Sequence, residues 1–259
     1  MTSPIHFVCV ATGDFHGLAD IYLVRLHRML TRHAGRPFQL WCVTDTPRKV
    51  PVDIRQIDCT SWTELHQEGM RPTTVKLGLF NPAYTALAQF IYLDLTLVIR
   101  QDMSPLINHM LDSPHDLVIL KDWGYESYNS SVMRIRPEEL AFIYRSFAQG
   151  KRYPQKTKGD QDFIFAAIKD HQRESLVDLV PAPLVVSFKH TMRLGFRAPS
   201  QAASMVENAV IVKFHGSPRM HRALHPVYRT LKYNLRFWLK GRMTPFSLAA
   251  LSRAWKEPQ

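Results

Sequence analysis

Four short polar groups close apolar runs in this 259-residue chain: Thr12-Gly13-Asp14, Thr44-Asp45, Asp94-Leu95-Thr96 and His215-Gly216. If the runs are strands of one α/β sheet, their ends converge on a single crevice. Asp, Thr and His with Lys or Arg nearby suit a nucleoside diphosphate and a divalent cation. The cation takes a carboxylate or two plus phosphate oxygens, and basic groups offset the phosphate charge. Each signal alone is weak. A histidine after a strand commonly fills a structural place, and Thr-Asp commonly forms a turn or cap. Asp94 sits inside the most apolar stretch, residues 89–100 (QFIYLDLTLVIR), where an unpaired carboxylate is costly. It meets a ligand, a metal or a partner charge, or it caps a turn or pairs with a buried arginine.

The elements that must position these groups are legible. Residues 5–12 and 38–43 read as buried strands around a helix at residues 19–32, with a third strand at 52–57. This β-α-β opening predicts a mainly parallel sheet with helices on its faces. Residues 89–100 read as one central strand buried on both faces. A short helix carrying Lys76 is expected over 75–80, and a loop before it. Further helices are expected at 104–111, 137–147 and 160–169, and strands at 117–120, 129–135, 176–180, 184–188 and 210–214. Pro137 followed by Glu138 and Glu139 marks a helix start. Residues 151–158 read as a basic loop, and the stretch after 188 as a polar segment.

Composition bounds the answer. Apolar residues are 46% and charged residues 21%, enough for a sizeable core. Three cysteines without a CxxC pair suggest neither a zinc site nor a disulfide framework, and fit a reducing compartment. The start, Met1-Thr2-Ser3-Pro4-Ile5, lacks a basic n-region, and no stretch is long and apolar enough to span a membrane. A cytoplasmic protein is expected, or one held on the inner face of the cell membrane. No P-loop, GxGxxG, GxSxG or HExxH motif occurs, which removes several α/β enzyme classes.

Taken together, the motifs resemble the GT-A-fold glycosyltransferases, especially bacterial lipopolysaccharide and capsule sugar transferases and relatives of glycogenin. YLDLTLVIRQDMSPL resembles their metal-binding strand, YNSSVMRI their Asn-containing strand, GDQDFIFAAI their Asp-Gln-Asp helix start, VKFHGSPR their late His-Gly segment, and VKLGLF their Lys-Leu segment. The likeness covers roughly residues 5–222, in order. It implies a GT-A-like mixed, mainly parallel sheet and transfer of a sugar from a nucleotide-diphosphate sugar, a UDP-sugar foremost, to a saccharide or glycolipid acceptor in surface-glycan biosynthesis. By resemblance, Asp94 and His215 hold Mn²⁺ or Mg²⁺. Thr12, Gly13, Thr44 and Asp45 face the nucleotide, and Thr96 and Gly216 border the donor. Lys76 and Arg219 meet phosphate oxygens. Asn129, Asp160, Gln161 and Asp162 flank the transferred sugar and acceptor, with Asp162 or Asp160 available as base. The family pattern is Asp-X-Asp, whereas this chain has Asp94-Leu95-Thr96. A weaker metal site completed by water, transfer relying on Arg or Lys, or a silent nucleotide-sugar or glycan-binding domain would each follow.

The net charge of +11 is uneven. Residues 213–259 hold ten Lys/Arg and one acid, Glu257, against 23 and 21 in residues 1–212. The reading therefore divides the chain into a catalytic domain, 1–221, and a basic helical tail, 222–259. Leu224, Val227, Tyr228, Leu231, Leu235 and Trp238 fall on one helical arc, with Arg222, Arg229, Lys232, Arg236 and Lys240 beside it. Such a helix packs on the domain with a solvated basic edge, or it docks on an anionic membrane surface. Nucleic acid is not expected as a partner, because the charge is confined to the tail and no nucleic-acid motif appears.

Overall fold

The computed structural model describes residues 3–154 and 159–257; residues 155–158 of the expected basic loop lie outside them. The chain begins with β1 (Ile5–Ala11), α1 (Ala19–His33), β2 (Phe38–Thr44) and β3 (Ile54–Asp58). A 3₁₀ segment, Pro72–Phe80, and the turn α2 (Pro82–Thr85) lead to β4 (Phe90–Leu93) and β5 (Leu97–Ile99). Next come α3 (Ser104–Asp112), β6 (Leu117–Lys121), β7 (Tyr128–Ile135), α4 (Pro137–Ala148) and α5 (Asp160–Asp170). After β8 (Val177–Leu179) and β9 (Val185–Ser187) follow α6 (Phe188–Arg197), α7 (Pro199–Glu207) and β10 (Ile211–Lys213). The turn α8 (Met220–Ala223) precedes α9 (Pro226–Arg229), a π-helical stretch Thr230–Asn234, α10 (Leu235–Trp238) and finally α11 (Leu248–Lys256). Among the described residues no helix is long and apolar enough to cross a membrane.

The chain forms two compact units. The first comprises Met1–Val24, Arg36–Leu95 and Asn108–Val180; the second comprises Arg25–Gly35, Thr96–Ile107 and Pro181–Gln259. The residues beyond 222 fall in the second unit together with 181–221.

The first unit is built on a seven-stranded sheet of order β3-β2-β1-β4-β7-β6-β8. Only the pairings of β7 with β4 and β6 are antiparallel; the others are parallel. This is the mixed, mainly parallel sheet flanked by helices that the sequence predicts. Its core gathers Val8, Tyr92, Ile119 and Met133 from the strands with Leu140 and Ile143 of α4 and Phe163 and Ile164 of α5. Chain order reverses at β1, which lies between β2 and β4, and ligands bind at such a switch point outside the carboxyl ends of the strands.

The second unit holds a three-stranded sheet, β5-β10-β9. Arg25 of α1 stacks on the Trp255 ring of α11 at 4.0 Å, and Arg32 donates to the Ala254 and Glu257 carbonyls, tying α1 to the last helix. Gly195 on α6 is required by packing. A Cβ there would lie 2.3 Å from Pro245 Cγ and 3.2 Å from Phe237 Cε1.

Three expectations change. The stretch 89–100 is not one strand. It breaks at Asp94-Leu95-Thr96, and β4 and β5 enter different sheets. Residues 75–80 belong to a longer 3₁₀ segment rather than an α-helix. Two helices, α6 and α7, occupy the expected polar segment after residue 188. The apolar arc expected in the tail is divided. Val227, Leu231, Leu235 and Trp238 are exposed, while Leu224 and Phe237 are buried. Cys9, Cys42 and Cys59 are buried free thiols.

Candidate active site

The first unit collects its chemistry-bearing side chains beyond the ends of β1, β2, β4 and β6, along β7 and at the first turn of α5. Asp94 follows β4, with its backbone N–H donating to Ser131 O on β7 at 2.9 Å. Tyr92, two residues earlier, donates its hydroxyl to Asp94 Oδ1 at 2.6 Å. Residues i and i+2 of an extended chain share a face, which is why the pair can meet.

Lys76, on the 3₁₀ segment, places Nζ 2.8 Å from Asp94 Oδ1 and 3.5 Å from Asp160 Oδ2. Asp160 opens α5 and also accepts from the Ser130 hydroxyl of β7. The ammonium is 8% exposed and Asp160 6% exposed, so water screens this group little. Burial pulls the Lys76 pKa down, but the Asp160 and Asp94 carboxylates outweigh it and hold the pKa above the ordinary lysine value. Burial, and then the Asp94 charge and hydrogen bond, push Tyr92 well up. Lys76, expected at phosphate oxygens, is thus shared between two carboxylates.

A second cluster continues from this one. Asn129 Nδ2 donates to Asp122 Oδ2 at 3.2 Å and to Gln161 Oε1 at 3.4 Å, and its Oδ1 accepts from Ser131 N–H at 3.2 Å. Asp162 Oδ1 accepts from the Ser127 hydroxyl at 3.3 Å. Two open cavities adjoin these groups. One of about 310 Å³ is lined by Asp160, Thr74 and Arg71, and one of about 520 Å³ by Asp162, Ser127 and Tyr125. Carboxylates, amides and hydroxyls in this density suit a ligand rich in hydroxyl groups.

At the ends of β1 and β2 the polar atoms are bonded to one another. Gly13, at φ +70°, donates its N–H to Asp45 Oδ2 at 2.8 Å. The Thr12 hydroxyl donates to Pro72 O at 3.3 Å. Thr44 is buried, its hydroxyl 3.0 Å from Ala11 O and 2.7 Å from Thr46 O. Arg48 ties the group together, donating to Thr44 Oγ1, Ala11 O and Gly13 O and pairing with Asp45 at 3.3 Å.

The remaining expected residues, Thr96, His215, Gly216 and Arg219, belong to the second unit. Lys213, 3% exposed, donates to Thr96 Oγ1 at 2.6 Å. His215 Nε2 lies 2.7 Å from the Ser187 hydroxyl, and its ring stacks on His190 at 5.7 Å. Gly216 has φ +67°, and Arg219 is exposed.

These contacts test the fit to a divalent cation. Asp94 is engaged by an ammonium and a phenol, Thr96 by an ammonium, and His215 by a hydroxyl. Among the described residues no three His, Cys, Asp or Glu side chains stand together as ligands. A hard cation wants several anionic or carbonyl oxygens, and within the first unit Asp94 Oδ1 is already occupied by Lys76 and Tyr92.

Sequence reasoning did not single out Tyr92, Ser130, Asp122, Arg48 or Lys213. The i, i+2 spacing of Tyr92 and Asp94, and Ser130 next to Asn129, were the available signals. Arg48, three and four residues after Asp45 and Thr44, gave a local signal too; it reaches Ala11 and Gly13, and Lys213 reaches Thr96, only through the fold.

No known family profile matches the chain, and no curated protein matches it either. Solved structures do. The galactosyltransferase LgtC in complex with donor and acceptor sugar analogues has TM-score 0.55 and 14% identity, covering 93% of this chain and 96% of that one. Mouse xyloside xylosyltransferase 1 has TM-score 0.56 and 17% identity, covering 84% and 99%. A glycosyltransferase involved in glycosylation of the major capsid of PBCV-1 has TM-score 0.51 and 12% identity, covering 85% and 96%. At these identities the likeness is one of architecture, and on it this chain has the GT-A fold of the glycosyltransferases.

Proposed function

We propose that the chain is a glycosyltransferase moving a sugar from a nucleoside-diphosphate sugar, a UDP-sugar foremost, to a saccharide or glycolipid acceptor as a surface glycan is built. The observation that carries this reading is the pair Asp94 and Asp160 around one buried ammonium, together with the adjoining group of Asp162, Asp122, Asn129 and Gln161, on a GT-A sheet and beside two open cavities.

In the reaction the bond from the anomeric carbon to the phosphate oxygen breaks. The acceptor oxygen bonds to that carbon, and the acceptor proton passes to a base. Asp162, at the first turn of α5 and on the wall of the larger cavity, is the carboxylate we assign to that proton. Asp94 and Asp160 favour the positive character that the departing diphosphate leaves on the sugar ring. Asn129 and Gln161 offer donor and acceptor atoms to sugar hydroxyls. Thr96, His215, Gly216 and Arg219 enter the donor site on the strength of the resemblance alone.

On the chemistry of the donor set we also propose that transfer does not require Mn²⁺ or Mg²⁺, with cationic side chains answering the diphosphate charge. A second reading, a silent domain that binds a nucleotide sugar or glycan, is favoured by one observation: Lys76 already neutralises Asp94.

The test is donor turnover across a panel of nucleoside-diphosphate sugars, in Mn²⁺ and in EDTA, for the wild type and Asp160→Asn. Turnover in both conditions that Asp160→Asn abolishes supports metal-independent transfer. A thermal shift with a donor but no turnover supports the silent domain. Neither turnover nor shift with any donor ends the donor reading.

A further inference from the structure

Charge in this chain segregates by unit. The second unit carries 17 Lys/Arg against three acids, Asp102, Glu207 and Glu257; the first carries 16 against 19. Within the second unit the cations converge on an open cavity of about 940 Å³. Arg193 and Arg197 come from successive turns of α6, Arg236 from α10, and Lys240 and Arg242 from the segment after it. All five are exposed, and no carboxylate lines the cavity. Among the described residues none of the five has a carboxylate partner. The walls pack on each other: Phe196 of α6 stacks on Phe237 of α10 at 3.8 Å, and Arg236 lies over the Phe196 ring at 5.0 Å.

Five like charges around one concavity repel one another, and an anionic ligand with several acceptor oxygens relieves that repulsion. Exposed side chains on the same stretch of chain say what carries the anions. Leu231 is 63% exposed, Trp238 71%, Leu239 68% and Met243 89%, on the same helix and turn that supply Arg236, Lys240 and Arg242. A nucleic acid would use the cations and stacked rings but has no use for a ridge of bare aliphatic side chains. A lipid surface uses both, with phosphates against the guanidinium groups and aliphatic and indole side chains at the acyl boundary.

We propose that the cavity between α6 and the helical run Pro226–Trp238 is a headgroup site for anionic phospholipid, and that this face docks the protein on a membrane. The inference does not depend on glycosyl transfer, so either can fail alone.

The experiment is co-sedimentation of the full chain with phosphatidylcholine vesicles, with and without phosphatidylglycerol. The decisive variant is Arg193→Gln with Arg197→Gln, because α6 lies outside the amphipathic tail and a tail acting by itself would not need it. The expected results are binding only to the phosphatidylglycerol vesicles, reversal by salt, and a loss of roughly fivefold per cation removed, about 25-fold for the pair. Both arginines are exposed, so the melting temperature should not move; Arg193→Lys with Arg197→Lys, which keeps the charge, should retain binding. The proposal is overturned by equal binding to neutral vesicles, by no binding to either, by a double Gln variant that binds as the parent does, or by a single-stranded RNA held more tightly than the vesicles.

Discussion

The buried charge of the first unit and the exposed charge of the second obey opposite rules. Around Lys76 an ammonium is shared by two carboxylates, which also accept from Tyr92 and Ser130. Around Arg193 and Arg197 there are cations and no acid. A charge removed from water must be answered inside the fold, whereas one left in water can wait for a partner. The first pattern therefore informs on stability and preorganisation, and the second on what the protein meets.

The largest effect separating the two regions should come from Lys76→Met. It strands two carboxylates in a site with little water, and removing one member of such a group costs about 3–5 kcal/mol. Urea unfolding measures it, and adding Asp94→Asn should restore part of the loss. The wild type offers the same test through pH. The Lys76 pKa is raised in the folded state, so its contribution is complete below the ordinary value of 10.5 and is lost as pH rises through the higher folded value. Stability that stays flat across that window would mean the ammonium is not held as described.

Asp162→Asn should lower kcat/KM by about a hundredfold or more, the usual share of a positioned base. The melting temperature should change far less than for Lys76→Met, since Asp162 is only half-buried, on the wall of an open cavity. A parent-like rate would move the base to Asp160. In the second unit Gly195→Ala should cost about 1–3 kcal/mol by driving a methyl group into Pro245. It should weaken vesicle binding by deforming the cavity wall without altering any charge. The smallest expected effect is Ser247→Ala. It removes the side chain that accepts from Ala250 N–H at the start of α11, at about 1 kcal/mol. It should leave both the Lys76 group and the basic cavity untouched.

Much of this was readable in the chain. The β-α-β opening, the apolar strands of the large sheet and the polar groups at their ends follow from periodicity and turn residues, and Asp94 was visible as an acid where none belongs. The break after Leu93 was not, because Leu95, Leu97, Val98 and Ile99 are apolar enough to continue a strand. Helix α6 was missed for a different reason. Its buried positions do fall at helical spacing, but they are Phe188, Thr191, Met192 and Gly195, so a hydroxyl and a glycine erase the apolar signal. The basic cavity joins residues about forty apart in sequence, a separation that no local pattern can bridge.

The wide turn in the tail has a consequence of its own. At regular pitch, residues five apart point in different directions, yet Tyr228 and Tyr233 meet edge to face at 6.1 Å across the π-helical stretch. That single widened loop of backbone lines up Tyr228, Tyr233 and Phe237 on the inward side and leaves the aliphatic ridge outside. Spacing, more than residue type, therefore decides what this protein shows to its surroundings. A relative one residue shorter here could keep every leucine and every arginine and still turn another flank outward.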